Sequence, residues 1–175
     1  MDVNKNSYTF LFATAMVVVV AASLSFAATN LKPFQDTNVE QEKMQSILSS
    51  IQIAVDRSQA PIAYQNYIKE AIVLRRGEAI EGQDAFAIDL AKEIRKPDEE
   101  RLSPLYIAEK EGETYYIIPL QGNGLWGPIW GYVSLKEDIN TVYGATFDHK
   151  AETPGLGAEI NTPVFEDQFK GKQML

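Results

Sequence analysis

Apolar residues run almost without interruption from Tyr8 to Ala28, and no charged side chain occurs between Asn6 and Leu31. As a helix rising 1.5 Å per residue, that run crosses about 30 Å, the thickness of a bilayer's hydrocarbon core. Ser25-Phe26-Ala27 has the small-x-small form of a leader cleavage site, but the run is longer than a leader's apolar region and only Lys5 stands ahead of it. A retained anchor is therefore predicted. Beyond a short linker at Asn30 to Gln35, which contains Pro33, the pattern changes to three-and-four spacing. Met44, Ile47, Leu48, Ile51 and Val55 fall on one helical face, opened by Thr37-x-x-Glu40 in capping-box form and ended by Gln59-Ala60-Pro61. This helix is expected to continue the membrane segment toward a soluble domain. Residues 62–76 read as a second helix closed by Gly77.

From Glu78 to Arg101 the pattern is mixed: AFAIDLAKEI suits a short strand or a helix, and KPDEER a solvated turn. From Leu105 the period becomes two. LYIAEKEGETYYIIPL places runs of β-formers on both sides of Glu111-Gly112-Glu113, which predicts a hairpin. WGYVSL, the turn KEDIN and TVYGATFDH predict another. Helices first and an antiparallel sheet after make the class α+β. The expected division is a transmembrane anchor over residues 1–31, a linker and amphipathic helix over 32–61, and an α+β domain over 62–175.

Charge narrows the partners. The net charge is −8, and Asp2 and Lys5 cancel within the first 31 residues, so the excess negative charge lies after the apolar run. Phosphate backbones would be repelled, and no nucleic-acid partner is expected. Lys5 and Lys32 nearly balance across the span, so charge alone does not orient it. The short amino terminus and large polar remainder predict a single pass with an extracytoplasmic domain. With no cysteine, the chain has no disulfide, thiolate metal site, cysteine-ligated cluster or cysteine nucleophile.

Catalytic chemistry is sparse. His149 is the only histidine; Asp148 and Glu152 nearby give it no metal-ligand spacing, and no G-x-S-x-G marks a nucleophile. No catalytic residue and no metal ligand are assigned, and His149 is read as an incidental, partly exposed strand residue. Two glycine-rich stretches remain. Gly122 to Gly131, GNGLWGPIWG, offers close backbone approach and broad apolar faces at Trp126 and Trp130. It suits a ligand site, an interface patch on a non-catalytic anchored module, or a bulged hairpin whose tryptophans fill the core. In Glu152 to Gly157, ETPGLG, Pro154 fixes one φ while Gly155 and Gly157 permit unusual dihedrals. Such a turn can aim N–H groups at a planar heterocycle, with Glu152 and Thr153 supplying side-chain polarity.

Gly124-Leu125-Trp126, Gly131-Tyr132, Gly144, Phe147, the run Glu152 to Gly157 and Phe165-x-x-Gln168-Phe169-x-Gly171-Lys172 together resemble the FMN-binding domain of the C subunit of the sodium-translocating NADH:quinone oxidoreductase. The G subunit of the related Rnf complex shares an ETPGLG-type segment, but GLW favours the first family. The resemblance covers essentially the whole chain, including the single amino-terminal span. It implies a membrane-anchored flavoprotein on the outer side of the inner (plasma) membrane. Its FMN would relay single electrons beside the other subunits of a complex that oxidises NADH, reduces quinone and exports sodium. Leu125, Trp126, Glu152, Thr153, Gly155 and Leu156 are implied to lie around the flavin. In that family the FMN phosphate is esterified to a threonine in a Ser-Gly-Ala-Thr motif well downstream of ETPGLG, and this sequence stops at Leu175. The chain thus resembles a subunit without its carboxy-terminal part, and no covalent flavin is expected on it. Gly144-Ala145-Thr146 is set aside as a substitute because it precedes ETPGLG within a predicted strand.

Overall fold

A computed structural model describes residues 6–175, which divide at Glu40/Gln41 into two compact units. Helix α1 (Asn6–Ser50) begins in the first unit and ends in the second. The part up to Glu40 exposes Phe10, Val17, Leu24, Phe26 and neighbouring apolar side chains, and it includes an 18-residue stretch apolar enough to cross a membrane. Its few polar groups bond back to the helix: Ser23 Oγ donates to the Val19 carbonyl at 2.8 Å, and Asn30 Nδ2 to that of Phe26 at 2.8 Å. Such back-bonding is how a hydroxyl or amide is satisfied where water is excluded. The expected linker at 30–35 is helical, with Pro33 inside the helix. The capping box also fails, because Thr37 Oγ1 donates to the Pro33 carbonyl at 3.0 Å within a continuing helix.

In the second unit α1 stops sooner than the periodicity suggested. Gln52 takes φ 60°, the Ile53 N–H bonds the Leu48 carbonyl and the Gln52 N–H bonds that of Ser49. This is a Schellman termination with Gln52 at the left-handed position. Val55 therefore lies beyond the helix, and Pro61 sits in the first turn of α2 (Ala60–Tyr67).

The stretch expected as a helix closed by Gly77 splits instead into α2 and strand β1 (Ile68–Arg75). Arg76 and Gly77, at φ 54° and 84°, form a two-residue turn into β2 (Glu78–Ile80). β1 is flanked by β2 and by β3 (Ser103–Lys110), and those two ladders outweigh local helix propensity. AFAIDLAKEI becomes a 3-10 turn over Ala85–Ala87 and the short helix α3 (Leu90–Glu93). Hydrogen bonds from Lys96 and then from the Leu102 N–H hold the Glu93 carboxyl below the usual carboxylate range.

Both expected hairpins form. Glu111 and Gly112, at φ 56° and 83°, join β3 to β4 (Glu113–Asn123). β5 (Pro128–Leu135) then turns into β6 (Val142–His149). Among the described residues these strands make one antiparallel sheet in the order β2-β1-β3-β4-β5-β6, which establishes the α+β class.

The core lies on one face of the sheet. Ile47, Leu48 and Ile51 at the end of α1 are fully buried with Val73, Tyr106, Ala108 and Ile117. The last carbonyls of α1 lack intrahelical partners and take them from the sheet. Ser134 Oγ donates to the Ser50 carbonyl at 2.6 Å, and Lys110 Nζ to that of Ile51 at 3.1 Å, placing a cation at the negative end of the helix. The approach is close because Gly144 has no side chain: a β-carbon there would lie 2.3 Å from the Ser50 carbonyl oxygen. Gly144→Ala is therefore expected to destabilise the domain by roughly 1–3 kcal/mol through overpacking, read as a lower thermal midpoint in circular dichroism. An unchanged midpoint would disprove this contact.

Candidate functional site

At one end of the sheet β4 passes into β5 through Gly124-Leu125-Trp126-Gly127, closed by a bond from the Gly124 N–H to the Gly127 carbonyl at 2.8 Å. The loop leaving β6 begins at the same end, where the Lys150 N–H donates to the Pro128 carbonyl at 3.0 Å. It runs through Glu152 to Leu156 into a 3-10 turn (Gly157–Asn161) and the short helix α4 (Pro163–Glu166). The antiparallel register thus brings residues 124–127 beside residues 150–157.

One side chain joins them. Glu152 is only 8% exposed, and its Oε1 accepts the Trp126 N–H at 2.9 Å. A carboxylate accepting an amide hydrogen makes a charge-assisted bond, stronger than a neutral pair. Two glycines make room for it: a β-carbon on Gly124 would sit 2.3 Å from Oε1, and one on Gly157 2.7 Å from Oε2. These spacings explain the glycines better than turn geometry does, since neither has a positive φ. Gly155 does, at 75°, and its N–H donates to Glu159 Oε1 at 2.9 Å. The Thr153 carbonyl accepts from the N–H groups of Leu156 and Ala158, both at 3.1 Å, so the turn is held from within.

Around this buried carboxylate large apolar side chains stand in solvent. Leu125 is 82% exposed, Trp126 66% and Leu156 74%. An apolar patch beside a structured polar centre makes these turns a candidate binding surface. Trp126 therefore does not fill the core, while Trp130 within β5 is half-buried. Of the residues singled out in the sequence, Leu125, Trp126, Glu152, Thr153, Gly155 and Leu156 all fall on these two adjoining turns. Thr146 points to the opposite face of the sheet, bordering a polar groove with Ser46, Ser49 and Arg57. On the same face as Phe147, a purely apolar groove of about 370 Å³ runs between the sheet and the Phe165 and Phe169 region.

Sequence reasoning missed Gly124 and Gly157 as the makers of space for Glu152. It also read His149 as incidental, whereas its Nδ1 accepts the Glu152 N–H at 3.3 Å. The only signal was the three-residue spacing from His149 to Glu152. Among the described residues no group of three or more His, Cys, Asp or Glu side chains could hold a metal ion.

Residues 124–174, which contain both turns, match the family model of the FMN-binding domain, and this defines the class of the site. The chain is 30% identical to the C subunit of the Na(+)-translocating NADH-quinone reductase of Haemophilus ducreyi, across 98% of this chain and 74% of that protein. To the C subunit of Pasteurella multocida it is 31% identical across 94% and 69%. The crystal structure of the C subunit from Parabacteroides distasonis superposes with a TM-score of 0.77 at 46% identity, over 83% of this chain and 71% of that one. The chain belongs to the family of C subunits of the Na(+)-translocating NADH-quinone reductase.

Removing the joint should loosen both turns without unfolding the sheet. Glu152→Ala is expected to cost about 1.5–3 kcal/mol locally, and Gly124→Ala to expel the carboxylate from its place. Each should raise the exchange rate of the Trp126 amide at least tenfold while leaving that of Ile117 unchanged. Equal Trp126 protection in both variants and wild type would contradict the assigned bond.

Proposed function

We propose that the chain is an FMN-carrying electron-transfer subunit of a sodium-translocating NADH-quinone reductase, with its flavin seated against residues 124–127 and 152–157. The observation that carries this reading is the buried Glu152 joining two turns that display Leu125, Trp126 and Leu156, inside the segment matched by the FMN-binding domain model. Bound FMN would supply single-electron relay, and the protein then need contribute orientation and electrostatics without acid–base groups.

The residues present suit such a ring. Trp126 and Leu125 offer apolar faces from one turn and Leu156 from the other. Thr153 brings a hydroxyl and Gly155 a turn of unusual dihedral to the polar edge. Glu152 holds the two walls at a fixed separation through the Trp126 N–H and puts negative charge beside the ring. Preorganisation of this kind keeps a redox group in one geometry through both halves of a transfer.

The wider reading follows from the relatives. The apolar part of α1 anchors the chain in the bilayer by a single pass, and the soluble domain is extracytoplasmic in this reading. Partners are the other subunits of the oxidoreductase.

Titration of the full chain in detergent with FMN, followed by flavin fluorescence, tests the site. Trp126→Ala and Leu156→Ala are each expected to weaken binding by up to about tenfold, the value of a lost aromatic or apolar contact. Wild-type chain that leaves FMN fluorescence untouched would overturn the flavin reading and favour a module whose exposed turns dock a partner protein.

A further inference from the structure

Asn123 is the last residue of β4, paired with Pro128 and exposed to solvent. It is the only asparagine in the chain that is followed by glycine. The site imposes that glycine, because a β-carbon on Gly124 would sit 2.3 Å from Glu152 Oε1. Room kept for the carboxylate thus leaves Asn123 beside a main-chain nitrogen with no neighbouring side chain to hinder it. That nitrogen is placed to close a five-membered ring with the Asn123 side-chain amide carbon. Ring closure of this kind is what makes asparagine a thermolabile residue.

We propose that Asn123 is a site of spontaneous deamidation, gated by the joint between Glu152 and Trp126, and that its isoaspartate product opens the two turns. In the first step the Gly124 nitrogen bonds to Asn123 Cγ and the Cγ–Nδ2 bond breaks. The proton given up by Gly124 ends on the departing nitrogen, which leaves as ammonia. Water then opens the cyclic imide, supplying a hydroxyl to the attacked carbon and a hydrogen to the Gly124 nitrogen. Attack at Cγ restores the normal backbone and gives aspartate. Attack at the main-chain carbonyl carbon breaks its bond to Gly124 and gives isoaspartate, whose chain runs through Cβ and Cγ. Nothing is oxidised or reduced: one amide and one water become a carboxylate and ammonium.

The closed site holds this chemistry back in three ways. A strand residue is extended, and the imide fixes ψ far from that region, so the last rung of β4 has to open before the ring can close. The Gly124 N–H is committed to the Gly127 carbonyl at 2.8 Å, which keeps its nitrogen from attacking while the turn is closed. The buried Glu152 carboxylate lies against Gly124 and opposes the anionic nitrogen on which the attack depends. The bond from the Trp126 N–H to Glu152 secures the hairpin tip and so governs all three. Where the product forms gives it its effect. Isoaspartate lengthens the backbone by one methylene just ahead of Gly124, where the contact with Glu152 leaves no slack. It also sets a second carboxylate beside a buried one.

No flavin is needed for this chemistry, and it is tested on the full chain in detergent without FMN. Protein is aged in mildly alkaline buffer, and its peptides are read by mass spectrometry and by enzymatic methylation of isoaspartate. Modification is expected first at Asn123, ahead of the exposed Asn66 and Asn161, whose next residues Tyr67 and Thr162 hinder ring closure. Glu152→Ala is expected to speed the reaction at Asn123 by roughly fivefold or more, the worth of one hydrogen bond. Wild type unfolded in urea should react faster still. Asn123→Gln should resist ageing and keep the Trp126 amide as protected from exchange as in wild type. The isoaspartate form, separated from aged wild type, should lose Trp126 protection and keep that of Ile117. Equal rates at Asn123 in folded and urea-unfolded wild type would overturn the gate, whether or not Glu152→Ala folds. A Glu152→Ala rate equal to wild type, with the Ile117 amide still protected, would overturn it as well. An Asn123 that ages no faster than Asn161 in urea would remove the site, and full Trp126 protection in the isoaspartate form would remove its consequence.

Discussion

A carboxylate hidden from water has to be satisfied by the protein, and at this site a single backbone N–H does much of that. The hydrogen bond from Trp126 to Glu152 closes a gap of 26 residues in sequence, and the arrangement of the surrounding turns follows from it. Gly124 and Gly157 lack side chains where Glu152 needs the volume. With the backbone secured beneath them, Leu125, Trp126 and Leu156 can point outward without collapsing onto one another. Exposed apolar groups carry a solvation cost of about 25 cal/mol per Å², and three of them displayed around a fixed centre suit the planar ligand proposed for these turns.

The sheet makes that junction possible. Antiparallel pairing of β4, β5 and β6 sends one hairpin tip and one departing loop to the same end, and pairing through Asn123–Pro128 and Ile129–His149 sets their spacing. Behind the sheet, the end of α1 is secured by Ser134 and Lys110 on its carbonyls and by the missing side chain of Gly144. Burying Lys43 against Phe86 adds a further tie: its Nζ donates to the Phe86 carbonyl and sits 4.2 Å from the ring centre. Burial lowers the pKa of that amine, while Asp84 and Asp89 act in the opposite direction. The end of the sheet that carries the two turns is thereby left free of core duties.

How far this could be read from residues alone depended on whether the decisive interaction was local. The hairpin at Glu111-Gly112 was legible because a two-residue turn and a period of two are written in adjacent positions. The apolar run from Tyr8 was legible for the same reason. β1 was misread as helix because IKEAIVLR carries helix-compatible residues, and its partners, β2 and β3, are known only once the sheet exists. The end of α1 was misplaced because Gln52 adopts a left-handed conformation that glycine usually marks. At the site, ETPGLG and GLW pointed through resemblance to two turns that the fold brings together, but the role of Glu152 was invisible. Its partner is a backbone donor, which leaves no trace in residue identity, and His149 looked incidental for the same reason.

The central claim is one hydrogen bond, and NMR can observe it directly as a scalar coupling transmitted between the Trp126 nitrogen and the Glu152 side-chain carboxylate carbon. In neutral solution the coupling is expected to be present, linking those two residues and no other carboxylate. A spectrum in which the Trp126 amide couples to no side chain and exchanges as freely as an unstructured loop would contradict the account.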